Sequence, residues 1–324
     1  MKTMNNLICA AFSFKEGFNT STQTGKTADN KTTITYLKNI FVTLTSAKLH
    51  NPDDDVVLFA NANISDEWVR KLKDNNIDVQ ICPFDEFVIG KDFIWALAYY
   101  KLCVLSHVVK DNAETKKYDH ILLMDTDTFT TRRYTDLWAE SDFGVLMYQV
   151  GHDFTHPDRA VIREDFEKFY PEEAKTTPIT HYGGEFVAGT QENLSAFMDT
   201  CRQVFQRMTA DDTKKMHERA GDETIWSIAA ALTDVRIINA APYIFRFWTG
   251  KVFYLVSNVT TSNPVCIWHV PNEKEAGFIR LYNYYQKNKE FPDPVRAAGI
   301  FGITKAKRPL SLADLCFRIK RKLS

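Results

Sequence analysis

The sequence predicts an α/β fold with a mainly parallel sheet covered by helices on both faces. Short, almost uninterrupted apolar runs of strand length alternate with longer segments whose apolar residues recur every three or four positions. One of these runs ends at a pair of aspartates, and the carboxyl ends of parallel strands are where such sheets gather ligands. Composition is consistent with this. The chain has 324 residues, 44% of them apolar and 25% charged, enough to bury a large core and too apolar for intrinsic disorder. Lys and Arg number 40 against 41 Asp and Glu, so no basic field marks a nucleic-acid binder.

Leu7 to Phe14 reads as the first strand and opens into a polar stretch, Lys15 to Thr33, that offers little to a core. Ile34, Leu37, Ile40, Phe41, Leu44 and Leu49 follow a helical period. After the turn Asn51 to Asp55 comes the buried strand Val56 to Ala60, completing a βαβ unit. Ser65-Asp66-Glu67 opens a helix, and Ile77 to Cys82 is the next strand. Phe93, Leu97, Tyr100, Val104 and Val108 make the stripe of a helix over Asp92 to Lys110, and Ile121 to Met124 is a strand. Phe143 to Gln149 is another. Gly151 to Thr180, which includes His152 and His156, reads as a partly helical insertion.

Tyr182 to Gly189 reads as a glycine-flanked strand, Glu192 to Met208 as a helix, and Gly221-Asp222-Glu223 as the start of a helix to Leu232. Strands are expected at Val235 to Ile238, Val252 to Val256 and Val265 to Val270. A helix over Glu275 to Lys289 then precedes a break at Phe291 to Pro294, which sets the expected domains: residues 1–295 and a basic tail, 296–324. Cys9, Cys82, Cys103, Cys201, Cys266 and Cys316 show no C-x-x-C spacing. They read as small core hydrophobes of a reduced, cytoplasmic protein, and no apolar run approaches the ~20 residues of a membrane span.

Asp125-Thr126-Asp127 carries the chemistry. Two carboxylates one residue apart, on the turn leaving an apolar strand, suit a hard divalent cation facing a diphosphate. Glycines at 183, 184 and 189 allow close backbone approach, and Asp222-Glu223 places two acids at a helix start. With His269 after the strand Val265 to Val270, these features in this order resemble the GT-A nucleotide-sugar glycosyltransferases of the retaining families 6 and 8. The glycine-rich segment and Asp222-Glu223 are similar to family 6, His269 and Lys101 to family 8.

The resemblance implies a GT-A domain that moves a hexose from a nucleoside diphosphate sugar, with UDP the expected carrier, to a carbohydrate or lipid-linked glycan acceptor. It implies Mn2+ or Mg2+ on Asp125, Asp127 and His269. The donor would meet Asp125, Thr126, Asp127, Lys101, Gly183, Gly184 and Glu185. Asp222 would grip the sugar hydroxyls, and Glu223 would face the anomeric carbon as nucleophile or as stabiliser of an oxocarbenium-like transition state. Two competing readings are a haloacid-dehalogenase-like phosphohydrolase, with Asp125 as nucleophile and Asp127 as acid, and a catalytically silent nucleotide-sugar-binding relative.

The tail concentrates charge that the whole chain lacks. Lys305, Lys307, Arg308, Arg318, Lys320, Arg321 and Lys322 face one acid, Asp314, and Leu312, Leu315, Ile319 and Leu323 recur at helical spacing. Such a helix fits an anionic membrane surface, where each basic residue contributes about 1 kcal/mol. Anionic vesicles should therefore pellet the full chain, and salt should release it. Equal pelleting of the full chain and one ending at Lys305 would remove the membrane role.

Overall fold

A computed structural model describes residues 5–14, 18–21, 26–27, 30–151, 156–210, 213, 215–249, 265–303 and 312. The chain opens with β1 (Asn6–Phe12), the short β2 (Asn19–Ser21) and β3 (Lys26–Thr27), α1 (Asn30–His50), β4 (Asp55–Ala60), α2 (Asp66–Lys73) and β5 (Asp78–Ile81). A 3-10 turn, Ala96–Tyr99, leads into α3 (Tyr100–Thr115), followed by β6 (His120–Met124), β7 (Thr128–Thr130), α4 (Thr135–Ser141) and β8 (Val145–Gln149). Then come α5 (Pro157–Phe169), β9 (Tyr182–Thr190), α6 (Gln191–Thr209) and α7 (Asp222–Leu232). The last elements are β10 (Ile237–Asn239), β11 (Ile244–Arg246), β12 (Ile267–His269), α8 (Gly277–Asn288) and α9 (Pro294–Phe301).

Seven strands form one sheet in the order β10-β8-β9-β6-β1-β4-β5. All its pairings are parallel except those of β9, which runs antiparallel to both β6 and β8. The central strands are apolar along most of their length because both faces are covered. In β1, Ile8, Ala10 and Phe12 enter one core with α1, α2, α8 and α9, whereas Leu7 and Cys9 enter a second core with α3, α5, α6 and α7. The period-two alternation of a strand divides one apolar run between two cores.

The expected alternation is observed, with differences. The helix expected from Asp92 begins at Tyr100, after turns and the 3-10 segment, and ends at Lys116, whose φ of 50° closes it in a left-handed cap. The strand β9 is present, but its direction is reversed against its neighbours. A second small sheet, β11-β12-β7, adds two strands that the sequence pattern does not announce. The expected strand Val252 to Val256, His152, and the basic tail beyond Ile303 apart from the exposed Leu312 lie outside the described residues.

The expected domain end at residue 295 is corrected. Helix α9 places Ala297, Ala298 and Phe301, followed by Ile303, in the first core, so the domain continues at least to Ile303. Pro294 is the first residue of that helix, where its missing N–H costs nothing, and Asp293 caps it by accepting from the Val295 and Arg296 N–H groups. Proline therefore starts an element here where it was read as ending a domain. Phe301 packs edge-on against Phe129 and Phe278. Phe301→Ala should lower the unfolding free energy by about 3–5 kcal/mol in urea titration. Val295→Ala, at a 63% exposed position on the same helix, should change it by no more than about 0.5 kcal/mol.

Candidate functional site

The candidate site is built at the carboxyl end of β6. Thr43 of α1 donates its hydroxyl towards the Thr126 and Thr128 carbonyls, at 2.9 and 2.7 Å, and accepts from the Thr128 N–H. The Asp125-Thr126-Asp127 turn is thereby anchored on a helix 83 residues away in sequence. Directly after the turn, β7 pairs antiparallel with β12, with Thr128 opposite His269, and the Val270 N–H donates to the Asp127 carbonyl at 3.0 Å. This pairing brings the His269 ring to the aspartates. Its Nε2 lies 3.4 Å from Asp127 Oδ2 and 4.0 Å from Asp125 Oδ2.

The other ring nitrogen, Nδ1, is 3.1 Å from Glu185 Oε1. A carboxylate behind a histidine fixes which nitrogen faces forward and raises its basicity, as in many carboxylate–histidine–metal arrangements. Glu185 is fully buried and also accepts from Arg246 Nε at 2.7 Å. The β9 strand turns its carboxylate inward, where it holds His269 and Arg246. Arg246 stands opposite His269 in the β11–β12 register and continues the chain of charges to Glu223 Oε1 at 2.8 Å. Glu223 Oε2 is 2.7 Å from His181 Nε2.

A second branch runs through Lys101 on α3. Its Nζ is 2.9 Å from Asp125, 2.8 Å from Asp222 and 2.9 Å from the Gly184 carbonyl. Lys274, just before α8, ion-pairs with Asp127. The glycines make room for these groups. A Cβ at Gly184 would lie 2.0 Å from an Asp222 oxygen, and one at Gly183 would lie 1.9 Å from a Glu185 oxygen. They let the backbone of β9 pass between charged side chains.

Five carboxylates (Asp125, Asp127, Glu185, Asp222, Glu223) face three permanently charged bases (Lys101, Arg246, Lys274). With His269 neutral, as a metal ligand must be, the cluster carries two negative charges in excess, which need compensation. A divalent cation on Asp125, Asp127 and His269 would supply it, and these three side chains offer two oxygens and a nitrogen lying within 4.8 Å of one another.

Burial raises the Asp127 pKa, but Lys274 and His269 more than offset this and hold it well below the ordinary carboxylate range. Glu223 is held low in the same way, burial being outweighed by Arg246 and His181. Burial pushes Asp222 up to about 6, with Lys101 only partly opposing it. His269 loses basicity by burial and regains more from Asp127 and Glu185, reaching about 9.

No known protein-family model matches the chain, and no curated protein matches it at a significant level. The cluster unites Asp125, Asp127, His269, Lys101, Asp222 and Glu223, all of them anticipated, while Thr126 enters through its backbone carbonyl. Arg246, Lys274, His181 and Thr43 were missed. For Arg246 a signal exists: a lone cation inside Ile244-Phe-Arg-Phe-Trp248 must find a buried counter-charge. Lys274 carries no comparable mark.

The raised pKa of His269 has a definite sign. Its protonated form is favoured by folding, so its contribution is full below pH 6.5 and disappears as pH rises through about 9. In excess chelator, the stability gap between wild type and His269→Gln should narrow by about 3 kcal/mol across that window, at about 1.4 kcal/mol per pH unit. A gap that stays constant with pH would show that His269 is not charged in the cluster.

Proposed function

We infer that the chain is a metal-dependent retaining glycosyltransferase of the GT-A type, moving a hexose from a nucleoside diphosphate sugar to a glycan or glycolipid acceptor. The observation that carries this reading is the convergence of Asp125, Asp127 and His269 at the end of β6, ringed by Lys101, Lys274 and Arg246. Two lysines on an aspartate pair suit a polyphosphate, since they can turn to phosphate oxygens once a metal takes the carboxylates. A divalent cation there, Mn2+ for preference, supplies electrostatic stabilisation of the charge that builds on a departing diphosphate.

Glu223 suits the opposite face of the reacting sugar. Arg246 and His181 grip one oxygen each and keep it ionised, yet its side chain remains 31% exposed where Glu185 has no exposure. An ionised, oriented carboxylate within reach of a ligand can stabilise a developing oxocarbenium ion or attack it. Asp222, next to it at the start of α7 and paired with Lys101, is placed to accept from sugar hydroxyls. The phosphohydrolase reading is disfavoured because Asp222 opens a helix that follows another helix, α6, and does not end a strand.

A panel of nucleotide sugars with Mn2+, monitored for nucleoside diphosphate release, tests the reading directly. One donor should give release that chelator abolishes, and Asp125→Ala or Asp127→Ala should remove most of it. Glu223→Gln should lower kcat by about 100-fold or more while donor binding changes little. Full turnover in excess chelator, or release from no donor, would overturn the assignment.

A further inference from the structure

A second cluster lies at the other side of α3, on the segment that follows the edge strand β5. Asp85, Cys103 and His107 bring a carboxylate oxygen, a thiol sulfur and an imidazole nitrogen within 4.8 Å of one another. His107 Nε2 is 2.7 Å from Asp85 Oδ1, and Cys103 Sγ is 3.7 Å from the same oxygen. The thiols of Cys82 and Cys103 both approach the Pro83 carbonyl, at 3.7 and 3.2 Å. Cys103 and His107 are four apart on a helix and share a face, and Cys82 and Asp85 are three apart on the facing loop.

We propose that Asp85, Cys103 and His107 form a site for a thiophilic divalent metal, zinc being the fit. A thiolate, an imidazole and a carboxylate fill three tetrahedral positions at zinc and leave the fourth to water. The burial pattern agrees. Cys82 and Cys103 are buried beneath, while the side chains of His107 and Asp85 are 32% and 56% exposed and leave a path from solvent. Binding would release the Cys103 thiol proton and the His107 Nε2 proton to solvent and replace the His107–Asp85 ion pair with two metal bonds.

The site also has a place in the fold. The segment from Cys82 to Tyr99 joins the edge strand to α3, and among its described contacts it is tied down by the Tyr100 hydroxyl on the Cys82 carbonyl at 2.8 Å and by Glu86 on Ser106 and Lys110. Lys101 is two residues before Cys103, about 200° around the helix, so the metal would fasten α3 from the face opposite the one that presents Lys101 to Asp125 and Asp222.

Cobalt titration of the reduced full chain tests this, because the Asp125, Asp127 and His269 cluster has no sulfur and cannot produce a thiolate-to-cobalt charge-transfer band. The expected result is such a band with the strong visible bands of a tetrahedral ion. It should saturate at one cobalt per chain, be bleached by zinc and be retained in Asp127→Ala. It should be lost in Cys103→Ser and in His107→Ala, whose partly exposed position keeps the test readable if the buried serine variant does not fold. Absence of the band in the reduced wild type, or its survival in His107→Ala, would overturn the site.

Discussion

A carboxylate with almost no access to water must find its counter-charge in the protein, and Asp127 finds it in Lys274 and His269. Much of the architecture around it serves this requirement. The turn that presents Asp127 is anchored on α1 by Thr43, and the strand after it pairs with β12 so that His269 arrives alongside. The chain then turns at once to deliver Lys274 before α8 returns over α1. The small sheet of β11, β12 and β7 is thus the part that assembles the cluster, and the large sheet is the platform on which it stands.

From Asp127 the charges alternate outward through His269, Glu185, Arg246 and Glu223 to His181. Each carboxylate lies between two bases, which fixes its orientation and keeps it ionised. Such networks are a poor source of stability, because removing many ions from water costs about as much as their attraction returns. A fold that buries this many charges is better explained by chemistry than by stability. The gradient of exposure points the same way, since Glu185 in the middle is sealed while Asp125 and Glu223 at the ends remain reachable.

Helix α3 links the two clusters. Its Lys101 face closes the acidic site, and its Cys103 and His107 face meets the loop after β5. Its middle is buried in the second core, with Leu102, Val104 and Leu105 among the residues packed there. A displacement of this helix would be felt by Asp125 and Asp222 together, because both share Lys101.

The sequence by itself determined the alternation of strands and helices, the Asp125 and Asp127 turn, and the acids that start α7, because each of these is written in a short periodic pattern or a local motif. His269 and Lys101 were legible only through resemblance to known enzymes. Periodicity states which face of an element is buried but not what it will meet, so the reversed direction of β9, the meeting of Asp85 with Cys103 and His107 and the docking of α9 were decided by tertiary structure. The same holds for the cluster. Lys274 meets Asp127 across 147 positions and Glu185 meets His269 across 84, and contacts at such separations depend on how the sheets pair rather than on any local preference of the chain.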